Sequence, residues 1–408
     1  MVQARAVFAA ELLTWKDVVT ETMDLQPDLK GAVQKIEEAR YDEKITKSSL
    51  LPKISASSSY SRSDSSTSDW KDSYGQGLSG SLLLFDGLKT PYAVKAARKK
   101  INQGQFAYAV TSSDVLLNVR TAFVGLMEAQ AAIKLNENIR DRKKQNLQLV
   151  ELLYQGGKEH KGAYLTAEAE LAQAELGVRE AERSRVLAQR KLFIAMGTEK
   201  MADIDVTGTF QLSGAYAQKP DLNTLLKDVP FLKQLAAARE EAQLNQRSAK
   251  GSFWPTVSAS TSVERSGGDF WGNKRDASVG LTVSIPLFEG GKNKATAEKS
   301  HASFLLAQAT EESGRQQVLL SLEDNWKSLK DAVETVGVRQ KFLYASEERA
   351  KIADAQYGTG LMSFDDWIII ENNLVSAQKN YLSAQAGMLT AEAGWIHALG
   401  GTLDDQIY

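Results

Sequence analysis

The chain has 408 residues, 43% hydrophobic and 25% charged, which are the proportions of a folded protein. Its 49 Lys and Arg against 51 Asp and Glu leave a net charge of -2, so no basic field marks it for nucleic acid or an anionic surface. Cysteine is absent and histidine numbers three, which excludes disulfides, thiolate metal sites and a thiol nucleophile. No stretch of about 18 apolar residues runs free of charge, so a membrane-spanning helix is not expected.

Residues 1–27 form an N-terminal segment. Its first ten, with one Arg and the small apolar run AVFAA, read either as the remnant of a secretory signal or as a frayed terminus. Beyond it the chain repeats itself. A shift of 203 positions lays Pro27 on Pro230, Glu37-Glu38-Ala39 on Glu240-Glu241-Ala242, Pro52 on Pro255, Phe85 on Phe288 and Gly87 on Gly290. The same shift places Tyr154 on Tyr357, Gly157 on Gly360 and Gly197 on Gly400. Two unrelated helix-rich stretches match at scattered Ala and Leu; they do not keep Pro, Gly and aromatic punctuation in register over such a length. The chain is therefore two copies of one unit, 28–197 and 231–400, with a linker at 198–230 and a tail at 401–408.

Each copy opens with a helix (28–50; 231–253), rich in Glu, Lys, Gln and Ala. A strand follows (53–63; 256–265), then a polar loop, then a second strand (77–86; 278–288). The strands alternate with period two, which places one face in an apolar and one in a polar setting. Ile54, Ala56 and Tyr60 match Val257, Ala259 and Val263 on one face, and Ser55, Ser57 and Ser59 match Ser258, Ser260 and Ser262 on the other. From the strands alone, a soluble hairpin with one buried face is the ordinary reading. Trp70, Phe270 and Trp271 stand near the strand ends, where an aromatic belt would sit at a membrane surface.

The next element in each copy is a helix of 66 residues (88–153; 291–356), roughly 100 Å long at 1.5 Å per residue. A rod of that length must pack along its side. The helices 160–196 and 28–50, stacked end to end, nearly match it. Val119, Phe123, Leu126 and Ile133 recur at coiled-coil steps, as do their mates Leu322, Trp326, Leu329 and Val336, so these stripes are core. Two glycine turns, Tyr154-Gln155-Gly156-Gly157 and Tyr357-Gly358-Thr359-Gly360, join long helix to medium helix as hairpin tips. Neither follows a strand or carries the Lys-Ser/Thr of a phosphate loop. His160, His301 and His397 are isolated from one another, with no metal-ligand companion, and no catalytic constellation is found, so neither an enzyme nor a cofactor is expected.

Four strands cannot close a membrane barrel, which begins at about eight, and an open edge in lipid leaves backbone groups unpaired. If these strands meet lipid, several chains must share one barrel. Two chains give eight strands and a filled interior, so a conducting pore favours three or more.

The duplicated order of helix, strand, strand, long helix, tip and medium helix resembles the TolC family of outer-membrane efflux channels. The resemblance is carried by LLPKISASSSY and FWPTVSASTSV, by LLLFDG and IPLFEGG, and by the tips YQGG and YGTG with LTAEAELAQAE and WIIIENNLVSAQ, and it covers residues 12–400. It implies a mainly α protein with membrane β, a homotrimer whose twelve-stranded β-barrel continues into a twelve-helix α-barrel. It implies residence in the outer membrane of a Gram-negative bacterium, contact with outer-membrane lipid, and a tunnel across the periplasm. Partners implied are a periplasmic membrane-fusion adaptor docked on the tips through Tyr154, Gly156, Gly157, Tyr357, Gly358 and Gly360, and behind it an inner-membrane RND or ABC transporter. In that family acids inside the second tip ring and narrow the tunnel. Asp366 matches one such position; the next is Ile369 here, with Asp365 and Glu371 as neighbours. Asp365 and Asp366 also read as ordinary first-turn acids favoured by the helix dipole. Without Cys, a lipid anchor is not expected. The competing reading is a periplasmic coiled-coil adaptor or scaffold without a pore.

Overall fold

The computed structural model describes residues 11–65, 68–199, 202–214, 216 and 218–401. Residues 1–10 and 402–408, which carry the signal-remnant reading and most of the tail, lie outside the described residues. The elements in order are β1 (Glu11–Leu13), α1 (Trp15–Leu25), α2 (Pro27–Ser48), β2 (Lys53–Ser65), β3 (Ser68–Phe85), α3 (Lys89–Gln155) and α4 (Lys161–Met196). They continue with β4 (Ile204–Val206), α5 (Leu222–Leu225), α6 (Pro230–Lys250), β5 (Thr256–Gly267), β6 (Lys274–Ser284), α7 (Lys292–Gly358) and α8 (Phe364–Ala398). Both long helices have 67 residues.

The chain divides into two compact units that cut across the sequence repeats. One gathers residues up to Gly31 with 109–229 and 317 onward; the other gathers 32–108 and 230–316.

In the first unit, α1 starts at a capping box. Thr14 Oγ1 accepts from the Asp17 amide at 3.3 Å, and the Asp17 carboxylate accepts from the Thr14 amide at 2.9 Å. Pro27 opens α2, where its missing N–H costs nothing. α4 ends on Gly197 at φ 79°, whose amide donates to the Ile194 carbonyl at 3.0 Å while Thr198 reaches Phe193 at 3.0 Å. A Cβ at Gly197 would lie 2.6 Å from Gln26 Cα and 2.7 Å from Pro27 Cδ, so the end of α4 abuts the start of α2, the expected end-to-end stacking.

The predicted stripes form the core here. Val119, Phe123 and Leu126 of α3 and Leu322, Trp326 and Leu329 of α7 are buried, while Ile133 and Val336 are half-buried. Trp326 meets Trp395 edge-on at 5.1 Å, and Trp15 meets Phe123 at 5.4 Å. The linker is tied down at repeat-equivalent positions of the two medium helices. Gln189 of α4 donates to the Ile204 carbonyl at 2.6 Å, and Glu392 of α8 accepts from the Ser213 amide at 2.7 Å and the Tyr216 hydroxyl at 2.9 Å. This places β4 beside β1 in a short parallel pair, Leu13 opposite Val206, which the sequence reading did not anticipate.

The second unit holds a four-stranded antiparallel sheet in the order β2-β3-β5-β6. Its helices are laced by surface ion pairs, Arg98–Glu43 at 2.8 Å, Lys100–Asp42 at 2.7 Å and Lys99–Glu240 at 2.6 Å, so α3 is joined to α2 and to α6.

Several boundaries differ from expectation, and those of β3 and β6 have a plain physical reason. β3 begins at Ser68 rather than 77, so most of the polar stretch read as loop is strand. Its Ser, Gly and Asp residues carry no apolar signal, and their ladder to β2 is what holds them extended. β6 ends at Ser284 rather than 288 because Pro286 has no N–H to donate and restricts Ile285 before it.

Candidate functional site

The cross-strand register sorts the sheet's side chains into two unlike faces. One row runs Ala56, Leu78, Val263, Ala277; those nearer the helices run Leu82, Ala259, Leu281 and then Val257, Val283. These rows form an apolar band uncovered by the chain, with Val279 at 89% and Leu281 at 66% exposure, and the next row of the same face away from the helices, Ser58, Gln76, Arg265 and Arg275, is polar. The opposite face carries the row Ser55, Ser79, Ser262, Ser278, in which the hydroxyls pair at 2.8 Å across β2–β3 and again across β5–β6. Next to it lies Ser57, Gly77, Glu264, Asp276. One face thus carries an exposed apolar band and the other is polar throughout these rows. β2 and β6 are the sheet's two edges, each with an unpaired row of backbone groups.

At the far end of the sheet the three expected aromatics are exposed. Arg62 lies over the Trp70 ring at 5.5 Å, and Phe270 and Trp271 meet edge-on at 5.5 Å in the β5–β6 loop. Tyr60 and Tyr74, paired at 5.0 Å, extend this cluster. Tyr60 belonged to the apolar face in the sequence reading, but its pairing with Tyr74 depends on strand register. Phe253, Trp254, Phe85 and Phe288 are exposed at the helix end of the strands, a second aromatic level that the sequence reading did not single out.

The tips have the predicted turn chemistry. Gly157 at φ 71° donates to Tyr154 and Gly360 at φ 78° donates to Tyr357, both at 3.0 Å. Open space surrounds Gly157, Gly358 and Gly360, and Tyr154 stacks on Tyr164 at 5.7 Å on the exposed side. Tyr357 departs from the expectation of an exposed docking residue. It is buried at 3%, stacked flat on Trp367 at 4.3 Å, with its hydroxyl donating to Glu159 at 3.1 Å. Burial, then the Glu159 carboxylate, push its ionisation far above the ordinary tyrosine range. It supports the second tip from within.

The three candidate acids separate. Asp365 and Asp366 are exposed in the first turn of α8, where Ser363 caps the helix by accepting from the Asp366 amide at 3.1 Å and donating its hydroxyl to the Asp366 carboxylate at 2.7 Å. Glu371 is a correction. At 1% exposure it cannot face an open passage; its two oxygens accept from Arg142 at 2.6 and 2.7 Å and from Asn146 at 2.8 Å. Arg142 also reaches Asp354, and neighbouring Lys143 reaches Glu170 and Asn372, at 2.7 to 2.8 Å. α3, α4, α7 and α8 are thus joined by one charge network near the tips. Its sequence trace is a break in the repeat: Arg142 and Lys143 map onto Ala345 and Ser346.

The histidines have local partners. His160 caps α4, His301 bonds Gln246 at 2.8 Å, and His397 meets Asp114 at 2.6 Å. No helix is long and apolar enough to cross a membrane among the described residues.

The family model described as "outer membrane efflux protein" matches residues 18–198 and 222–401, both copies of the unit and nothing of the linker's middle. The chain belongs to the outer membrane efflux protein family. This efflux-family chain is similar to the alkaline protease secretion protein AprF of Pseudomonas aeruginosa, 27% identical over 68% of this chain and 63% of AprF, so that match spans under two thirds of the relative. It is 20% identical to the cation efflux system protein CusC of Escherichia coli O157:H7 over 95% of this chain and 85% of CusC. Among solved structures, CusC superposes with a TM-score of 0.87 at 18% identity, over 95% of this chain and 92% of CusC. The open state of the MtrE channel of Neisseria gonorrhoeae gives 0.84 at 20% identity, over 100% and 95%. The chain thus shares the fold of these solved outer-membrane channels.

Proposed function

We propose that this chain is the exit duct of a tripartite efflux pump or type I secretion system, a passive conduit in the outer membrane of a Gram-negative bacterium. The observation that carries the reading is the sheet: four strands, two open edges, one uncovered apolar face and one serine-lined face. Water leaves the apolar face unsatisfied and lipid leaves the open edges unsatisfied; a barrel closed by joining β6 of one copy to β2 of the next and surrounded by lipid satisfies both. Three copies give twelve strands, wide enough for a water-filled bore lined by the serine face. Trp70, Phe270 and Trp271 then hold the outer membrane surface.

The helices below carry the passage toward a periplasmic adaptor. Tyr154, Gly156, Gly157, Gly358 and Gly360 offer it an exposed tip surface, and the adaptor links the duct to an inner-membrane RND or ABC transporter. Asp365 and Asp366, repeated three times around an axis, form the acidic ring that narrows the passage and favours cations. The names of the relatives, a protease secretion protein and a cation efflux protein, support both kinds of assembly.

The test is the mass and single-channel behaviour of the detergent-purified chain. A particle of three copies that opens ohmic conductances in planar bilayers is expected, with Asp365→Ala/Asp366→Ala raising conductance or weakening cation preference. Monodisperse, detergent-free solution behaviour as a single chain would overturn the reading.

A further inference from the structure

At the helix end of the sheet, the turn from β3 to α3 and the turn from α6 to β5 border an open cavity of about 300 Å³. Phe85, Leu88, Tyr92, Arg247, Lys250 and Trp254 line it, the size at the lower end of small-ligand sites. Its walls are pressed together: a Cβ on Gly87 would lie 2.5 Å from the Gly251 carbonyl oxygen and 2.5 Å from Trp254 Cβ. Ser248 Oγ closes the same joint by donating to the Lys89 carbonyl at 2.9 Å. Arg247 and Lys250 occupy the last turn of α6, exposed and without an ion pair among the described residues.

Leu88 makes the cavity more than a crevice. Its φ of 65° is the one positive value at a non-glycine residue among the described residues. The repeat supplies the control: Leu88 maps onto Gly291 at φ 84°, and Gly87 onto Gly290 at φ 59°. The second copy of this turn is relaxed by two glycines, whereas the first keeps a leucine in a conformation that disfavours it. What leucine adds there is a side chain in the cavity wall. Tyr92 and Trp254 are likewise specific to this joint, since they map onto Ala295 and Leu51.

We propose that this cavity binds the phosphate headgroup of an anionic phospholipid, an assignment that rests on the outer-membrane reading above. Arg247 supplies the planar fork that matches a phosphate and Lys250 a second cation. Leu88, Phe85 and Trp254 receive the upper acyl region where it continues onto the apolar face of the sheet. Trp beside paired cations at the end of an apolar band is the arrangement expected at a membrane interface. Each chain holds one such lipid, which clamps sheet to helices at the membrane's inner surface.

The shared chemistry is a phosphate, so the experiment separates lipid from free anion. The full chain, purified in detergent, is incubated with dioleoylphosphatidylglycerol, dioleoylphosphatidylcholine or inorganic phosphate, and retained adducts are counted by native mass spectrometry. Phosphatidylglycerol is retained over phosphatidylcholine. Each cation near an anionic headgroup contributes on the order of fivefold, so R247Q/K250Q lowers retention roughly 25-fold. Leu88→Gly lowers retention while raising the melting temperature, because it removes the strain together with the wall. Equal retention of the two lipids, parental retention by R247Q/K250Q, or displacement of the lipid by inorganic phosphate overturns the assignment. Bilayer conductance is recorded on the same sample: a conducting chain that retains no phosphatidylglycerol sinks this site alone, and a chain that neither inserts nor conducts sinks the channel reading with it.

Discussion

Replacing Arg142 by Ala tests the charge network at the tips. Among the described residues, Glu371, at 1% exposure, keeps the Asn146 amide as its one donor once Arg142 is gone, and Asp354 keeps the Trp367 indole at 2.9 Å. Removing one partner of a buried ion pair costs about 3–5 kcal/mol, chiefly for the charge left behind. Arg142 itself is 33% exposed, so water reaches part of the site and the low end, about 3 kcal/mol, is expected. R142M/E371M removes both charges at similar volume and recovers most of that loss, short of about 1 kcal/mol for the orphaned Asn146 donor. The assay is denaturant unfolding followed by circular dichroism, with hydrogen exchange of α3 and α8 peptides to place the loss near the tips. An R142A variant within about 0.5 kcal/mol of the parent, or a double variant no better than the single one, would refute the reasoning.

Glycine substitutions separate backbone strain from collision. Gly157→Ala meets open space and costs about 1 kcal/mol for its positive φ alone, whereas Gly197→Ala adds a clash with Gln26 and Pro27 and costs at least twice as much, both read from chemical denaturation. Glu128 shares a cavity with Asp28 and Lys191, and burial raises its carboxyl above the ordinary 4.5 despite a Ser383 hydrogen bond. A raised carboxyl contributes stability below its unfolded value and loses it as pH rises through the folded one, so Glu128→Gln should gain melting temperature over the parent progressively above pH 4.5. A difference independent of pH would show that the carboxylate is not desolvated.

Much of the candidate site was visible in one dimension because its determinants are local. Glycine at a left-handed turn, serine or threonine before a helix and strict alternation in a strand act over a few residues, which is why Gly157, Gly360 and the two faces of β2 and β5 stand where expected. Glu371 and Tyr357 were misplaced for the opposite reason. On a helix, exposure is set by which neighbour covers a face, and the cover for these two comes from α3 and from the turn before α4, more than two hundred residues away for Arg142 and nearly that for Glu159. The polar half of β3 was missed because serine and glycine announce no strand until another strand pairs with them.

The sequence by itself determined the duplication, the long helices and the tips, since period and punctuation are written along the chain. Only the tertiary structure decided which charges are buried, how the linker is tied down, and that Leu88 is held in a strained turn beside two cations with no ion pair among the described residues. Those outcomes depend on groups far apart in the chain sharing one small volume, where desolvation and close contact, rather than local preference, set the energy.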